Sequence, residues 1–157
     1  MARFLTDAML GKLTRYLRMA GHDVVYVSDH STEDGEVREK ASETRRTVLT
    51  RDTDFESDDD AVVLESRDVE GQLRELHDEG VDLCLGTDGS HAHADGVRPR
   101  CSDCNGELTE SETRPGHAPP EDEAEEVWRC VDCGKHYWKG SHWDDVRETF
   151  EDVRQDA

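Results

Sequence analysis

The segment RFLTDAMLGKLTRYLRMAGHDVVYV, residues 3–27, carries the pattern that decides the fold. Residues 3–6 are a short, mostly apolar run, and residues 10–20 then repeat apolar side chains at helical spacing. Residues 23–27 form a second run that is rich in valine. A strand, a helix and a strand in this order predict a βαβ unit, in which both strands lie parallel in one sheet.

The same alternation continues further along the chain. Residues 34–44 and 68–79 have the composition of helices, and residues 47–50 and 61–65 have that of buried strands. The pattern therefore predicts an α/β fold with a parallel sheet that helices cover on both faces. Ligands of such sheets bind at the carboxyl ends of the strands. We assign residues 1–85 to this domain.

The composition and periodicity of the sequence change after the first domain. Residues 86–97 are rich in turn-forming residues and have no periodicity, which predicts a linker. His91 and His93 within it could bind a metal, although a His-x-His pair in a polar loop is more often simply solvated. Residues 98–157 are predicted to form a second, small domain whose last element is a helix over residues 144–153.

Cysteine spacing indicates a metal site in the second domain. Four of the five cysteines occur as two Cys-x-x-Cys pairs: Cys101, Cys104, Cys130 and Cys133. Two such pairs suit tetrahedral Zn²⁺, because each tight turn presents two thiolates. A closed four-thiolate site has no open position for water, so its role would be structural. A redox or iron–sulfur role is the alternative, and His136 or His142 could replace a cysteine. The fifth cysteine, Cys84, is interpreted as a buried thiol.

Aromatic residues are concentrated in the segment YWKGSHW, residues 137–143. The simpler interpretation is a hydrophobic plug that docks the second domain, a zinc ribbon, on the first domain. In the alternative, Trp138 and Trp143 stack on RNA bases while Lys139 and His142 lie near phosphate.

Acidic residues mark a second candidate site, in the first domain. Asp7 follows the first predicted strand, Asp52 follows the third, and Asp34 begins the helix between the second and third strands. Because the carboxyl ends of parallel strands converge, these carboxylates can meet although they are distant in sequence. Mg²⁺ or Mn²⁺ would hold such a cluster together and could activate water beside a phosphodiester. Asp54 is a possible fourth ligand.

The first helix carries three basic residues, Lys12, Arg15 and Arg18. Helical periodicity places them opposite the leucines of the same helix. A basic stripe beside a carboxylate cluster is a place where an RNA backbone would lie. The alternative is an ordinary solvated helix face.

The composition limits the classes of protein to which the chain can belong. At 157 residues the chain is long enough to bury a core, but 39 acids against 19 lysines and arginines leave a formal net charge of −20. This acidic, lysine-poor composition resembles that of salt-adapted, halophilic archaea, whose protein surfaces stay hydrated in molar salt. The sequence contains no long apolar run, so we expect a soluble, cytoplasmic protein without a membrane partner.

Several motifs together resemble the Mut7-C RNase domain family. They are FLTDAMLGKL at residues 4–13, YLRMAGHD at residues 16–23, LTRD at residues 49–52, and the two cysteine segments at residues 101–106 and 130–143. The resemblance spans nearly the whole chain. It implies a PIN-like nuclease fold followed by a zinc ribbon, with Mg²⁺- or Mn²⁺-dependent ribonuclease activity on RNA.

The resemblance also implies a catalytic set. By position, Asp7, Asp34 and Asp52 match the acids of the family, while Asp29 and Glu33 remain alternatives to Asp34 because the helix start is not defined by the sequence. A non-catalytic RNA-binding or adaptor protein is the alternative function. A receiver-like phosphoacceptor fits less well, because it needs two adjacent acids after the first strand.

Overall fold

A computed structural model describes most of the chain. The described residues are 3–27, 34–56, 60–81, 83, 100–111, 127–138 and 141–155. Side chains are not described for Ala8, Asp34, Gly35, Glu110, Trp138 and residues 141–144. The predicted linker with His91 and His93 lies outside the described residues, as do Cys84, Asp29 and Glu33. The two interpretations of the aromatic segment also rest on side chains outside this description.

Four parallel strands form the first sheet in the order β2-β1-β3-β4. They are β1 (Arg3–Thr6), β2 (Asp23–Tyr26), β3 (Thr47–Thr50) and β4 (Ala61–Val63). The central strand β1 pairs with β2 on one side and with β3 on the other. Because all four strands run the same way, the sheet has one edge of amino ends and an opposite edge of carboxyl ends.

Helices cover both faces of this sheet, as the sequence predicts. They are α1 (Gly11–Met19), α2 (Asp34–Thr44), α3 (Val69–Asp78) and α4 (Ser141–Gln155). Side chains from α1, α3 and α4 form one core with Phe4 and Leu49 of the sheet. Helix α2 packs on the other face, against Leu5 and Val48. Neighbouring residues of one strand thus belong to different cores, because successive side chains of a strand point to opposite faces.

The last helix, α4, completes the core of the first sheet. Phe150 is 1% exposed, and its ring meets that of Tyr16 edge-on with 5.9 Å between the ring centroids. Arg154 Nη1 donates a hydrogen bond to the carbonyl oxygen of Leu83 at 2.8 Å. The sequence places this helix in the second predicted domain, residues 98–157, but its apolar face joins the core of the parallel sheet.

The second sheet is small and antiparallel. Its strands are β5 (Leu108–Glu110), β6 (Val127–Cys130) and β7 (His136–Trp138), in the order β5-β6-β7. The cysteine pairs lie in the turns beside these strands. This ribbon follows the α/β domain in the chain, as predicted.

Removing the ring of Phe150 should destabilise the whole α/β domain. We expect Phe150→Ala to lower the free energy of unfolding by about 3–5 kcal/mol, because the change leaves a cavity among buried side chains. Val131→Ala is the matched control, since Val131 is 56% exposed and should change stability by less than about 0.5 kcal/mol. Urea unfolding measures both; equal effects of the two variants would contradict the placement of α4.

Candidate active site and metal centre

Asp7 and Asp52 follow two neighbouring strands at the carboxyl edge of the parallel sheet. Asp7 comes directly after β1, and Asp52 comes two residues after β3. From β1 the chain passes to α1 on one face, whereas after β3 it passes to Phe55, which packs on the opposite face. Neighbouring parallel strands whose connections diverge in this way open a crevice at their carboxyl ends, where ligands of α/β sheets commonly bind.

A threonine hydroxyl connects the two carboxylate positions. Thr50 Oγ1 donates to Asp7 Oδ2 at 2.5 Å and accepts from the backbone N–H of Asp52 at 3.1 Å. Asp7 Oδ1 also accepts from the backbone N–H of Met9 at 3.1 Å. Thr50 is buried and was not among the residues singled out in the sequence. The available signal was a hydroxyl at the last position of a buried strand, two residues before an aspartate.

Asp52 and Asp54 belong to a short 3₁₀ turn after β3. Asp52 caps the turn Thr53–Phe55, because its Oδ1 accepts from the backbone N–H of Asp54 at 2.9 Å. Asp54 itself is exposed. Arg38 of α2 donates to the carbonyl oxygen of Asp54 at 2.9 Å, and its guanidinium lies 4.3 Å from the ring centroid of Phe55. The first half of α2 therefore lies beside this turn.

The third predicted acid, Asp34, is the first residue of α2, one helical turn before Arg38. Its side chain is outside the described residues. Among the side chains that are described, Asp7, Asp52 and Asp54 do not form a group of three ligands close enough for one ion. Asp7 and Asp52 are both partly buried, and Thr50 links the carboxylate of Asp7 to the backbone N–H of Asp52. Such a pair fits Mg²⁺, which is often held by one or two carboxylates and keeps water or phosphate oxygens as its other ligands.

Arg18 is not part of an exposed basic stripe, which corrects the prediction from helical periodicity. Lys12 and Arg15 are exposed, but Arg18 is 6% exposed. Its Nε donates to the carbonyl oxygen of Val24 at 3.1 Å and its Nη1 donates to that of Ser102 at 2.9 Å. Desolvation lowers the pKa of Arg18, although arginine stays charged at neutral pH. The ribbon covers the last turn of α1, and the periodicity of a helix cannot reveal such a contact.

The four cysteine sulfurs converge in the ribbon. All four lie within 4.8 Å of one another. Cys101 Sγ is 3.7 Å from Cys133 Sγ, and Cys104 Sγ is 3.4 Å from Cys130 Sγ. A tetrahedral Zn²⁺ with Zn–S bonds of about 2.3 Å needs its sulfurs roughly 3.8 Å apart, so this cluster can hold a zinc ion.

The two cysteine turns have the same backbone construction. In the first turn, the N–H of Asn105 donates to the carbonyl oxygen of Cys101 at 2.9 Å; in the second, Gly134 donates to Cys130 at 3.0 Å. Asn105 and Gly134 both have left-handed backbone conformations, with φ of 71° and 79°. Gly106 must lack a side chain, because a Cβ atom there would lie 2.8 Å from the sulfur of Cys130.

Neighbouring groups in the ribbon shift the pKa values of Cys104 and Cys130 in opposite directions. Partial desolvation and hydrogen bonds with neighbouring thiols raise the pKa of Cys104 to about 12. Desolvation also acts on Cys130, but the backbone N–H groups of Cys133 and Asp132 outweigh it and lower the pKa of Cys130 to about 7. Burial and the neighbouring Cys101 raise the pKa of Tyr137, whose hydroxyl lies 3.0 Å from the Cys101 sulfur. Metal binding to these thiols would therefore release protons.

The first cysteine turn docks on the edge strand β2. The side-chain oxygen of Asn105 accepts from the backbone N–H of Val24 at 3.0 Å, and its Nδ2 donates to Asp23 Oδ1 at 2.6 Å. The backbone N–H of Arg100 donates to the carbonyl oxygen of Arg18 at 2.8 Å. Polar groups at this sheet edge are thus paired by the ribbon rather than left open.

Asp23 is the charged centre of this docking surface. Arg46 Nη1 donates to Asp23 Oδ1 at 2.8 Å, and both side chains are largely buried. Burial alone would raise the pKa of Asp23, but the hydrogen bonds from Arg46 and Asn105 outweigh it and hold the pKa below its ordinary value. Asp23 begins β2 and therefore lies at the amino edge of the sheet, opposite Asp7 and Asp52.

Fold and sites together define an α/β domain with two aspartates at the carboxyl edge of its sheet and an attached ribbon whose four cysteines can bind a metal ion. The sequence model of one family, the Mut7-C RNAse domain, matches residues 2–150, and the chain belongs to this family. Searches of curated proteins and of solved structures found no match. None of the helices in the described part of the chain is both long enough and apolar enough to cross a membrane.

We expect the purified, reduced protein to contain one zinc ion per chain. Removal of this ion should loosen the hydrogen bonding of β2. Chelation should increase hydrogen exchange at the backbone N–H of Val24, because Asn105, its acceptor, is held by the metal-binding turn. The amide of Ala41 is the internal control, since α2 packs on the opposite face of the sheet. Metal analysis and exchange measured by NMR test this. Iron instead of zinc, or unchanged protection of Val24, would contradict it.

Asp23 should make stability depend on acid pH. A carboxylate with a depressed folded pKa stabilises the fold above its unfolded pKa, near 3.9, and this stabilisation is lost as the pH falls through the lower folded pKa. Asp23→Asn should therefore cost about 2 kcal/mol at neutral pH and flatten the fall in stability below about pH 4. Asp78→Asn, at an exposed position, is the control. Chemical unfolding at several pH values measures both, and parallel pH curves for parent and Asp23→Asn would contradict this role.

Proposed function

We propose that this protein is a metal-dependent ribonuclease and that the crevice holding Asp7 and Asp52 is its active site. The observation that carries the proposal is the match of residues 2–150 to an RNAse domain family, in a chain whose paired carboxylates lie at the carboxyl edge of the sheet. A crevice at that edge is where substrates of α/β enzymes usually bind. Asp7, Asp34 and Asp52 are the proposed ligands of Mg²⁺ or Mn²⁺, with Asp54 as a fourth.

The donor set favours a hard cation. Asp7 and Asp52 supply carboxylate oxygens, and no cysteine lies among the described residues of this edge. When bound, Mg²⁺ or Mn²⁺ polarises a phosphoryl oxygen and lowers the pKa of a coordinated water. Thr50 holds the carboxylate of Asp7 in one orientation through the hydrogen bond to Oδ2.

Helix α1 supplies the proposed contacts to the RNA backbone. It begins beside Asp7, since the carbonyl oxygen of Asp7 accepts from the backbone N–H of Leu10 at 3.0 Å. Lys12 lies in the first turn of the helix and Arg15 one turn further on, and both are exposed. Two cations extending from the acid pair along one helix can bind consecutive phosphates. Arg18 is excluded from this role because its guanidinium is buried against the ribbon.

The decisive experiment replaces the two acids. Asp7→Asn and Asp52→Asn preserve size but each removes a ligand charge, so each should lower cleavage of labelled single-stranded RNA at least ~100-fold in saturating Mg²⁺ or Mn²⁺. Both variants should melt close to the parent without metal, because asparagine keeps an oxygen that can cap each turn. Thr50→Val, which removes only the hydroxyl that orients Asp7, should cost roughly 10–100-fold.

Asp152→Asn, prepared in the same way, is the matched control. Asp152 is exposed on α4, so this variant should cleave at the parent rate and also reports any contaminating nuclease. If Asp7→Asn and Asp52→Asn cleave as fast as the parent, the nuclease proposal fails. Undiminished RNA binding by a protein that never cleaves would instead support the RNA-binding or adaptor alternative.

A further inference from the structure

A cavity of about 350 Å³ opens between the start of α1 and the start of α3. Met9, Leu10 and Lys12 line one side of it, and Arg67, Val69 and Gln72 line the other. Met9 is the second residue after Asp7 and donates its backbone N–H to the Asp7 carboxylate. The cavity therefore lies close to the carboxylate of Asp7. Its size is at the lower end of the range of small-molecule sites, about 300–1,000 Å³.

The apolar side of the cavity is unusually open. Met9 is 68% exposed, although its neighbour Leu10 is 1% exposed. With the partly buried Val69, Met9 presents apolar surface to solvent beside the carboxylate of Asp7. A methionine side chain is flexible and polarisable, and it packs well against flat aromatic rings. This surface suits the face of a nucleobase.

On the polar side of the cavity, the basic side chains form no ion pair within the described residues, whereas the acidic side chains are bound to other groups of the protein. Within the described part of the chain, neither Lys12 nor Arg67 forms an ion pair, and both are exposed. The two acids that also line the cavity are engaged elsewhere. Asp68 Oδ2 accepts from the backbone N–H of Gly71 at 2.9 Å, and Glu70 Oε1 lies 2.8 Å from Arg74 Nη2. The cations therefore remain available to a phosphate.

We propose that this cavity binds one nucleotide of a single-stranded RNA, next to the phosphate that lies at Asp7. The base packs against Met9 and Val69, and its phosphate lies between Lys12 and Arg67. A base that is paired in a duplex cannot enter a cavity of one-nucleotide size, so the substrate class is single-stranded RNA. This inference rests on the proposed function, which sets the direction of the RNA across the acid pair.

Methionine NMR tests the proposal directly. The chain has three methionines, Met1, Met9 and Met19, and Met19 is 5% exposed in the core of α1. The full-length Asp7→Asn protein, with ¹³C-labelled methionine methyl groups, is titrated with a short single-stranded RNA and with the same RNA annealed to its complement. We expect the single strand to shift the Met9 methyl signal while that of Met19 stays in place. The duplex should bind at least tenfold more weakly.

Two variants and one control give the affinities. Met9→Ala should weaken binding of the single strand about fivefold or more, which is the lower end of the effect of losing one stacking contact. Arg67→Ala should weaken it and also reduce the slope of log affinity against log salt by about 1. Arg129→Ala removes an equally exposed arginine from β6 of the ribbon and should change neither quantity.

The outcomes separate this inference from the proposed function. The cavity proposal is overturned if RNA binds while the Met9 signal does not move, if Arg67→Ala behaves like Arg129→Ala, or if no RNA binds at all. Cleavage that depends on Asp7, together with an unmoved Met9 signal, leaves the nuclease proposal intact and removes only the cavity. RNA can instead shift the Met9 signal and bind Arg67→Ala more weakly while Asp7→Asn cleaves at the parent rate. This outcome supports the cavity as an RNA site and removes the nuclease proposal.

Discussion

The parallel pairing of β1 between β2 and β3 is the constraint on which the rest of the molecule depends. It gives the parallel sheet two unlike edges. Asp7 and Asp52 lie at the carboxyl ends of the strands, and Asp23 lies at an amino end. Helix α1 joins these edges. Its nine residues span about 13 Å, from the acid pair at its start to the buried Arg18 near its end. The ribbon therefore holds one end of the helix whose other end borders the acidic crevice.

Much of the α/β domain could be predicted because its signals are local. The strands at residues 3–6 and 47–50 and the helix at residues 34–44 have the bounds expected from their apolar runs and flanking polar residues. The first residue of α3 was less predictable, since Asp68 caps the start of the helix from outside it. The partner of α4 could not be predicted at all. An amphipathic pattern shows that a helix buries one face, but not against which element it does so.

The features of the two sites also divide into those that the sequence predicts and those that depend on contacts between distant elements. The convergence of the four cysteines follows from spacing, because two tight turns with paired thiolates leave few other arrangements. The positions of Asp7 and Asp52 follow from strand ends, since parallel pairing brings those ends together. The role of Thr50 depends on a hydrogen bond across strands, which no one-dimensional pattern shows. Arg18 was misplaced for a related reason: its helical phase was right for solvent, but the ribbon occupies that space.

The position of α4 has a consequence for how the chain comes to be folded during synthesis. Most of the core of the first sheet comes from residues 4–83, yet Val146, Phe150 and Val153 complete it. A nascent chain therefore cannot close this core when the sheet has emerged from the ribosome, because the covering helix follows the sheet and the ribbon in the sequence. The intervening ribbon can take up its metal earlier, since its cysteine pairs precede α4. Until then α1 and α3 keep an apolar face open to solvent, and a strongly acidic chain is well suited to keep such an intermediate from associating with its copies.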